Sequence, residues 1–136
     1  MKDKVVEHLK FIQDTINRMA KHSFSIKEAT ILINVAVFAF AGQANNKASI
    51  ISIIPTIIMW GLDSYYLLQE KKFRLLYDYV RSKNDTDFDM NYNNLNIKLN
   101  KVNKYTFINT FFSVTELFFY LGLLITVSII YFYPFK

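Results

Sequence analysis

Ala48-Ser49-Ile50-Ile51-Ser52-Ile53-Ile54-Pro55-Thr56-Ile57-Ile58-Met59-Trp60-Gly61-Leu62-Asp63-Ser64-Tyr65-Tyr66-Leu67-Leu68-Gln69-Glu70-Lys71-Lys72-Phe73-Arg74-Leu75-Leu76-Tyr77 continues to Lys83 without a Gly or Pro after Gly61. Its first part, Ala48 to Leu68, is long enough to cross a hydrocarbon core of roughly 30 Å and holds a single ionisable residue, Asp63. The stretch reads as a membrane span whose last turns emerge on the cytoplasmic side. Pro55 removes a backbone donor and should kink it, with Ser52 or Thr56 at hand for the freed carbonyl groups. Beyond the apolar part, Asp63, Tyr66, Glu70, Arg74, Tyr77 and Arg81 recur every three or four residues. That spacing draws one polar stripe along one helix face, with Glu70 and Arg74 as an i,i+4 pair.

Working towards the N-terminus, residues 24–44 form a first span, counted from Phe24 with Lys27 snorkelling to the interface. Ser23 or Ser25 can cap it, and Glu28 sits in the capping-box position relative to Ser25. Ala36, Ala39 and Ala41 permit close approach of a neighbouring helix. Residues 42–47 are a polar turn, so the two spans form an antiparallel hairpin. Before the first span, Val5, Leu9, Ile12, Ile16 and Met19 lie at 4-3-4-3 spacing, a narrow apolar stripe on an otherwise charged amphipathic helix over residues 3–22. The stripe can lie in the headgroup layer, pair with a partner helix, or pack on this chain's own cytoplasmic helix.

Towards the C-terminus, residues 84–104 are polar and rich in Asn and Asp, a cytoplasmic loop with a short strand or turn at Phe88 to Tyr92 and a loose apolar alternation at Leu95, Ile97, Leu99 and Val102. Residues 105–135 are aromatic and aliphatic except for Glu116, and make a third span ending in an interfacial belt at Tyr131-Phe132-Tyr133. The chain is therefore expected to be an all-α membrane protein of one domain. Lys and Arg cluster before the first span and between the second and third, while the opposite side carries only Lys47 and Lys136. The positive-inside rule then puts the N-terminus and the long loop in the cytoplasm and the C-terminus outside.

The bulk composition narrows the function classes. With 136 residues, 52% hydrophobic and only 3 Gly, disordered and collagen-like classes are excluded. The net charge of +5 follows from the cytoplasmic loops, and no nucleic-acid partner is inferred from it. No Cys is present, which removes disulfides, thiolate metal sites and Cys nucleophiles. The N-terminus lacks an unbroken apolar stretch with a cleavage site, so a cleaved signal peptide is not expected. Metal-ligand spacings, a glycine-rich phosphate loop and a nucleophile elbow are all missing; no cofactor is expected and an enzyme is the least favoured class. His8 and His22, on the amphipathic helix or at its end, read as surface residues.

The chemistry lies in the carboxylates within the spans. Asp63 is seven residues before Glu70 and hence about 10 Å inward of the first wet acid. Glu116, twelve residues past Lys104 and seventeen before Tyr133, falls at a similar depth. An ionised carboxylate in hydrocarbon costs several kcal/mol, so each acid should face the bundle interior, pair with a cation or carry a proton. Lys27, at the start of the first span, is the cation best placed. The trio is either a structural pin for helix register or a gating, conduction or ligand-sensing site.

The segment Leu62-Asp63-Ser64-Tyr65-Tyr66-Leu67 with Glu70 and Phe73-Arg74-Leu75-Leu76-Tyr77, preceded by Asn17-Arg18-Met19 and Ser23 to Lys27 and followed by Asp87 to Met90, resembles a family of small, largely uncharacterised bacterial membrane proteins. The likeness covers Ile12 to about Tyr92 and departs after Lys27, where the family has Gly-Trp and this chain has Glu28-Ala29. The resemblance implies, by association, a part in anti-phage defence as an inner-membrane effector or as the membrane-bound partner of a cytoplasmic signalling protein, with a nucleotide ligand one form of signal. Three function classes follow: an oligomerising effector that perturbs or gates the membrane, a non-conducting anchor for a cytoplasmic partner, and a small carrier. The carrier is disfavoured because three spans show no internal repeat.

Overall fold

The computed structural model describes residues 2–44, 46–94 and 105–133. Helix α1 covers Lys2–Ala44, a 3-10 helix covers Asn46–Ser52, and α2 covers Ile53–Arg81. An extended segment then carries a single 3-10 turn at Tyr92–Asn94, followed by the short α3, Phe107–Phe111, and by α4, Val114–Phe132. There is no strand among the described residues, and three helical stretches, Asp3–Ala41, Lys47–Arg81 and Val114–Phe132, are long and apolar enough to cross a membrane.

The first correction concerns α1, in which no break separates an amphipathic helix from a first span. Its 43 residues make one rod of about 65 Å, roughly twice a hydrocarbon thickness. The serines at 23 and 25 do not interrupt it. Ser23 turns inward to bond another helix, Ser25 and Phe24 point outward, and the capping box with Glu28 does not form because there is no helix start to cap. The buried positions keep a helical period through the expected break, from Ile12 and Ile16 to Ser23, Thr30, Asn34 and Ala41. Only their chemistry changes. Of the expected contact alanines, Ala41 is buried while Ala36 and Ala39 face outward.

Helix α2 starts later than the sequence suggests, because residues 46–52 wind as a 3-10 helix, and it ends at Arg81 rather than Lys83. Pro55 consequently sits in the first turn of α2, where its missing N–H has no intrahelical bond to break. The Thr56 hydroxyl donates to the Ser52 carbonyl at 2.7 Å. The polar turn also tightens, since α1 extends through Ala44.

Antiparallel packing of α1 on α2 gives one end an apolar core of Val5, Ile12, Ile16, Leu76 and Val80, against which Leu9, Phe73, Tyr77, Met90 and Tyr92 pack. Of the three covers open to the N-terminal stripe, the chain's own α2 is the one present. This end is the stalk. The segment after α2 straps across it as a turn: Asp87, Asp89 and Asn91 each accept from the backbone N–H two residues on, and the intervening Phe88, Met90 and Tyr92 reach back to the helices. Phe88 takes a left-handed φ of 58°, costly for an aromatic residue, and its ring lies on His8 and Phe11. The Tyr92 hydroxyl donates to Gln69 Oε1 at 2.8 Å. The alternation at Leu95 to Val102 and the last residues of the expected third span lie outside the described residues.

The third span is shorter than expected and broken at its start. Phe111 stacks on Trp60 with ring centroids 4.2 Å apart, and its carbonyl accepts from Trp60 Nε1 at 3.1 Å. Thr110 and Phe111 therefore close α3, Ser113 is extended, and α4 restarts at Val114. It packs on α2 and on the 3-10 helix to complete the bundle.

Candidate functional site

The site is assembled from i,i+4 pairs on two helices and one residue of a third. Ser23 and Lys27 share a face of α1, Glu116 and Tyr120 share a face of α4, and Asp63 projects from α2 between them. Asp63 and Glu116 are fully buried, and the Lys27 side chain is 19% exposed. The Lys27 ammonium donates to Asp63 Oδ2, to Glu116 Oε1 at 2.9 Å and to Ser23 Oγ at 3.3 Å. The Ser23 hydroxyl donates to Asp63 Oδ1, and the Tyr120 hydroxyl donates to Asp63 Oδ2 at 2.9 Å. Lys27 also lies 5.8 Å from the centre of the Phe119 ring. The three residues that hydropathy and depth singled out are thus in contact, through one ammonium shared by two carboxylates.

The sequence reading missed the supporting groups. Tyr120 is fully buried and stacks on Trp60 at 5.4 Å, and Trp60 stacks in turn on Phe111. From the ion cluster a polar seam follows the bundle axis: Thr30, Asn34 and Thr56 are buried, and Asn34 Nδ2 donates both to the Thr30 carbonyl at 2.9 Å and to Thr56 Oγ1 at 3.0 Å. Ser52 and Ser49 extend it, with the Ser52 hydroxyl donating to the Ser49 carbonyl at 2.8 Å. A usable signal was present. Ser23, Lys27, Thr30 and Asn34 repeat at 4-3-4 spacing, as do Ser49, Ser52, Thr56 and Asp63 at three, four and seven, so a search for polar rather than apolar periodicity would have found both faces. Ser113 to Glu116 also carries capping-box spacing, which marks the start of α4 although the Ser113 side chain makes no cap bond and Glu116 turns to Lys27.

Outside this seam the bundle is apolar. Leu32, Phe40, Ile54, Ile58, Phe118 and Ile125 are all exposed, so the usual arrangement of apolar core and polar surface is inverted. Such an inversion is stable where the surroundings are hydrocarbon.

The polar stripe of α2 does not stay together as one solvated face. Glu70 is buried and pairs with the exposed Arg74 at 2.6 Å; Tyr66 is half-buried with its ring 5.2 Å from that of His22; Tyr77 is half-buried on the stalk core; Arg81 is exposed at the helix end. His8 corrects the expectation of two surface histidines. It is buried, with Nδ1 2.6 Å from Thr86 Oγ1 in the strap, because its helix face is the one that α2 and the strap cover. Burial holds its imidazole below the ordinary value, against the opposing influence of Asp87 and Asp89. His22 is exposed.

Among the described residues no group of three or more His, Asp or Glu side chains is arranged to hold a metal ion. What the Lys27 cluster offers chemically is one ammonium shared by two buried carboxylates, which ties three helices together. Compared with family models, with curated proteins and with solved structures, the chain matches none.

Proposed function

We propose that this chain is a small bacterial inner-membrane effector: a homo-oligomer whose stalk meets a cytoplasmic partner or ligand and whose three spans respond by gating or perturbing the bilayer. The observation that carries the reading is the polar interior of the bundle. A bundle that only anchored something would be served by interchangeable apolar contacts, whereas this one buries Asn34, Thr56, Asp63 and Glu116 along a single seam, at a cost of several kcal/mol for each charge left unpaired. The stalk core of Val5, Ile12, Leu76 and Val80 supports a rigid connection from outside the bilayer to that seam, since α1 and α2 run through both. The asymmetry of Lys and Arg favours a cytoplasmic stalk and an external C-terminus. A role in anti-phage defence rests on the family resemblance.

The second reading, a non-conducting anchor for a cytoplasmic partner, is favoured by Lys27 holding both acids at once, as a pin for helix register would. Membrane potential in cells expressing the chain separates the two. The effector reading expects depolarisation or growth arrest with the natural chain and its loss in Glu116→Gln at equal membrane accumulation; unchanged potential for every accumulating variant would leave the anchor. Topology is checked separately with a reporter after Lys136, active only outside, and one near Asn93, active only in the cytoplasm. Crosslinking in native membranes that returned only monomer at several expression levels would remove the oligomer from the proposal.

A further inference from the structure

The hydrogen-bond inventory of the ion cluster is unequal. Asp63 accepts three bonds, from Ser23, Lys27 and Tyr120, whereas Glu116 accepts one, from Lys27 at Oε1. Glu116 Oε2 is buried and has no partner. Lys27 cannot supply one, because its three N–H groups are directed at Asp63, Glu116 Oε1 and Ser23. Two carboxylates and one ammonium leave the cluster one negative charge in excess, and that excess lies in a bundle whose outer surface is hydrocarbon-like. The groups facing Glu116 are Lys27 from α1, Asp63 from α2 and, on its own helix, Tyr120, whose hydroxyl proton is already given to Asp63. None of them provides the missing positive charge.

We propose that the Lys27–Asp63–Glu116 centre is a binding site for one further monovalent cation, a proton or an alkali ion, taken up at Glu116 Oε2. Asp63, with three donors, is the saturated partner of Lys27. Glu116 carries the exchangeable charge. With a proton, an O–H bond forms at Oε2 and Glu116 becomes neutral; with an alkali ion, the carboxylate keeps its charge and the ion balances it. Either way the cluster reaches net neutrality, the state that a low-dielectric interior favours. The inference rests on the membrane placement used in the proposed function and is independent of whether the chain gates anything.

The chain contains its own reporter. Trp60 is the only tryptophan, and it stacks on Tyr120, which bonds Asp63. The full chain in lipid nanodiscs is titrated over about pH 4 to 10, following Trp60 fluorescence and the infrared C=O stretch of protonated carboxylic acid, in sodium buffer and in buffer whose only cation is a bulky organic amine. For a bound proton, the natural chain shows an acid C=O band persisting above about pH 6 that Glu116→Gln abolishes and that is the same in both buffers; any fluorescence transition in that range has the slope of one proton and is lost in the same variant. For an alkali ion, fluorescence at fixed pH responds to added sodium in the natural chain and not in Glu116→Gln. Asp63→Asn provides a second route, since it removes the excess charge and should abolish uptake while leaving Glu116 in place. The proposal is overturned if the natural chain shows neither an acid band above about pH 6, where exposed carboxylates have ionised, nor a sodium response, or if that band survives unchanged in Glu116→Gln. The natural chain alone decides the first of these, whatever the variants do to folding. Loss of uptake in Glu116→Gln with undiminished depolarisation would keep this inference and sever it from gating, whereas depolarisation without any uptake would keep the effector reading and sink this one.

Discussion

Between Val5 and Ile16 on α1, and between Leu76 and Val80 on α2, the helical hairpin buries mostly aliphatic side chains, with His8 and Thr15 beside them, and leaves Glu7, Lys10, Asp14 and Arg81 outside together with Val6 and Phe11. Between Ser23 and Asn34 on α1, and between Ser49 and Ser64 on α2, the same two helices bury serines, threonines, an asparagine and an aspartate, with Trp60 the one large apolar group among them, and leave Leu32, Ile54 and Ile58 outside. The spacing of buried positions is alike in both regions because both obey the geometry of two helices in contact. In the proposed membrane placement, what reverses is the medium. In water the aliphatic groups gain by leaving the solvent. In hydrocarbon they gain nothing by doing so, and the interior is left to close packing and to hydrogen bonds between polar groups that would otherwise be unsatisfied.

The largest expected consequence lies in the bundle. Lys27→Met strands two carboxylates in a dry interior and should destabilise the fold by about 3–5 kcal/mol, read as loss of membrane accumulation. Adding Asp63→Asn or Glu116→Gln should recover part of the loss, since deleting both members of a buried pair costs less than deleting one. Strict additivity in that double-mutant cycle would make Lys27 a snorkelling anchor uncoupled from the acids.

In the stalk the vulnerable groups are apolar. Ile12→Ala or Leu76→Ala should cost about 2–5 kcal/mol by opening a cavity in the aqueous-type core, measured as urea sensitivity of the detergent-solubilised chain. The matched change Leu32→Ala, on the exposed face of the bundle, should leave stability within about 0.5 kcal/mol. Equal losses at Ile12 and Leu32 would mean that Leu32 is packed against another surface and not exposed to lipid, and the comparison would fail.

Smaller and pH-dependent is the contribution of His8. Its folded imidazole titrates below its unfolded value, so the unfolded chain binds more protons as pH falls through the ordinary histidine range of about 6.5. Stalk stability is therefore fully present above that range and lost below it. Hydrogen-exchange protection at Thr86 to Tyr92, corrected for the intrinsic slowing of exchange at low pH, should fall on acidification in the natural chain and respond less in His8→Gln, where no imidazole remains to titrate. An unchanged pH response in the variant would assign the effect to the acids of the strap instead.

The smallest effect is expected at Asn34. Replacing it by Leu removes its bonds to Thr30 and Thr56, each worth about 0.6 kcal/mol in a membrane, and also removes the unpartnered Asn34 Oδ1. The net change should be close to zero by thermal unfolding in nanodiscs. A loss as large as that of Lys27→Met would mean that the whole seam, and not the ion cluster, holds the bundle together.

Hydropathy and the scarcity of Gly and Pro were enough to read three long apolar helices, and depth along the helix axis was enough to draw Lys27, Asp63 and Glu116 to one level. These are one-dimensional properties: they depend on counting residues at about 1.5 Å each and on the cost of a charge in hydrocarbon. Helix boundaries were less legible. A polar residue at Ser23 looks like a cap when water is assumed outside, whereas in the continuous helix its hydroxyl turns to Asp63, forty residues away. The break before α4 was hidden for a similar reason, since it follows from Trp60 taking the Phe111 carbonyl. Which acid is saturated with donors and which is left with a bare oxygen was likewise beyond the sequence. Tyr120 and Ser23 both serve Asp63 and leave Glu116 Oε2 alone, a choice made by the angles at which three helices meet and legible only once their faces are in contact.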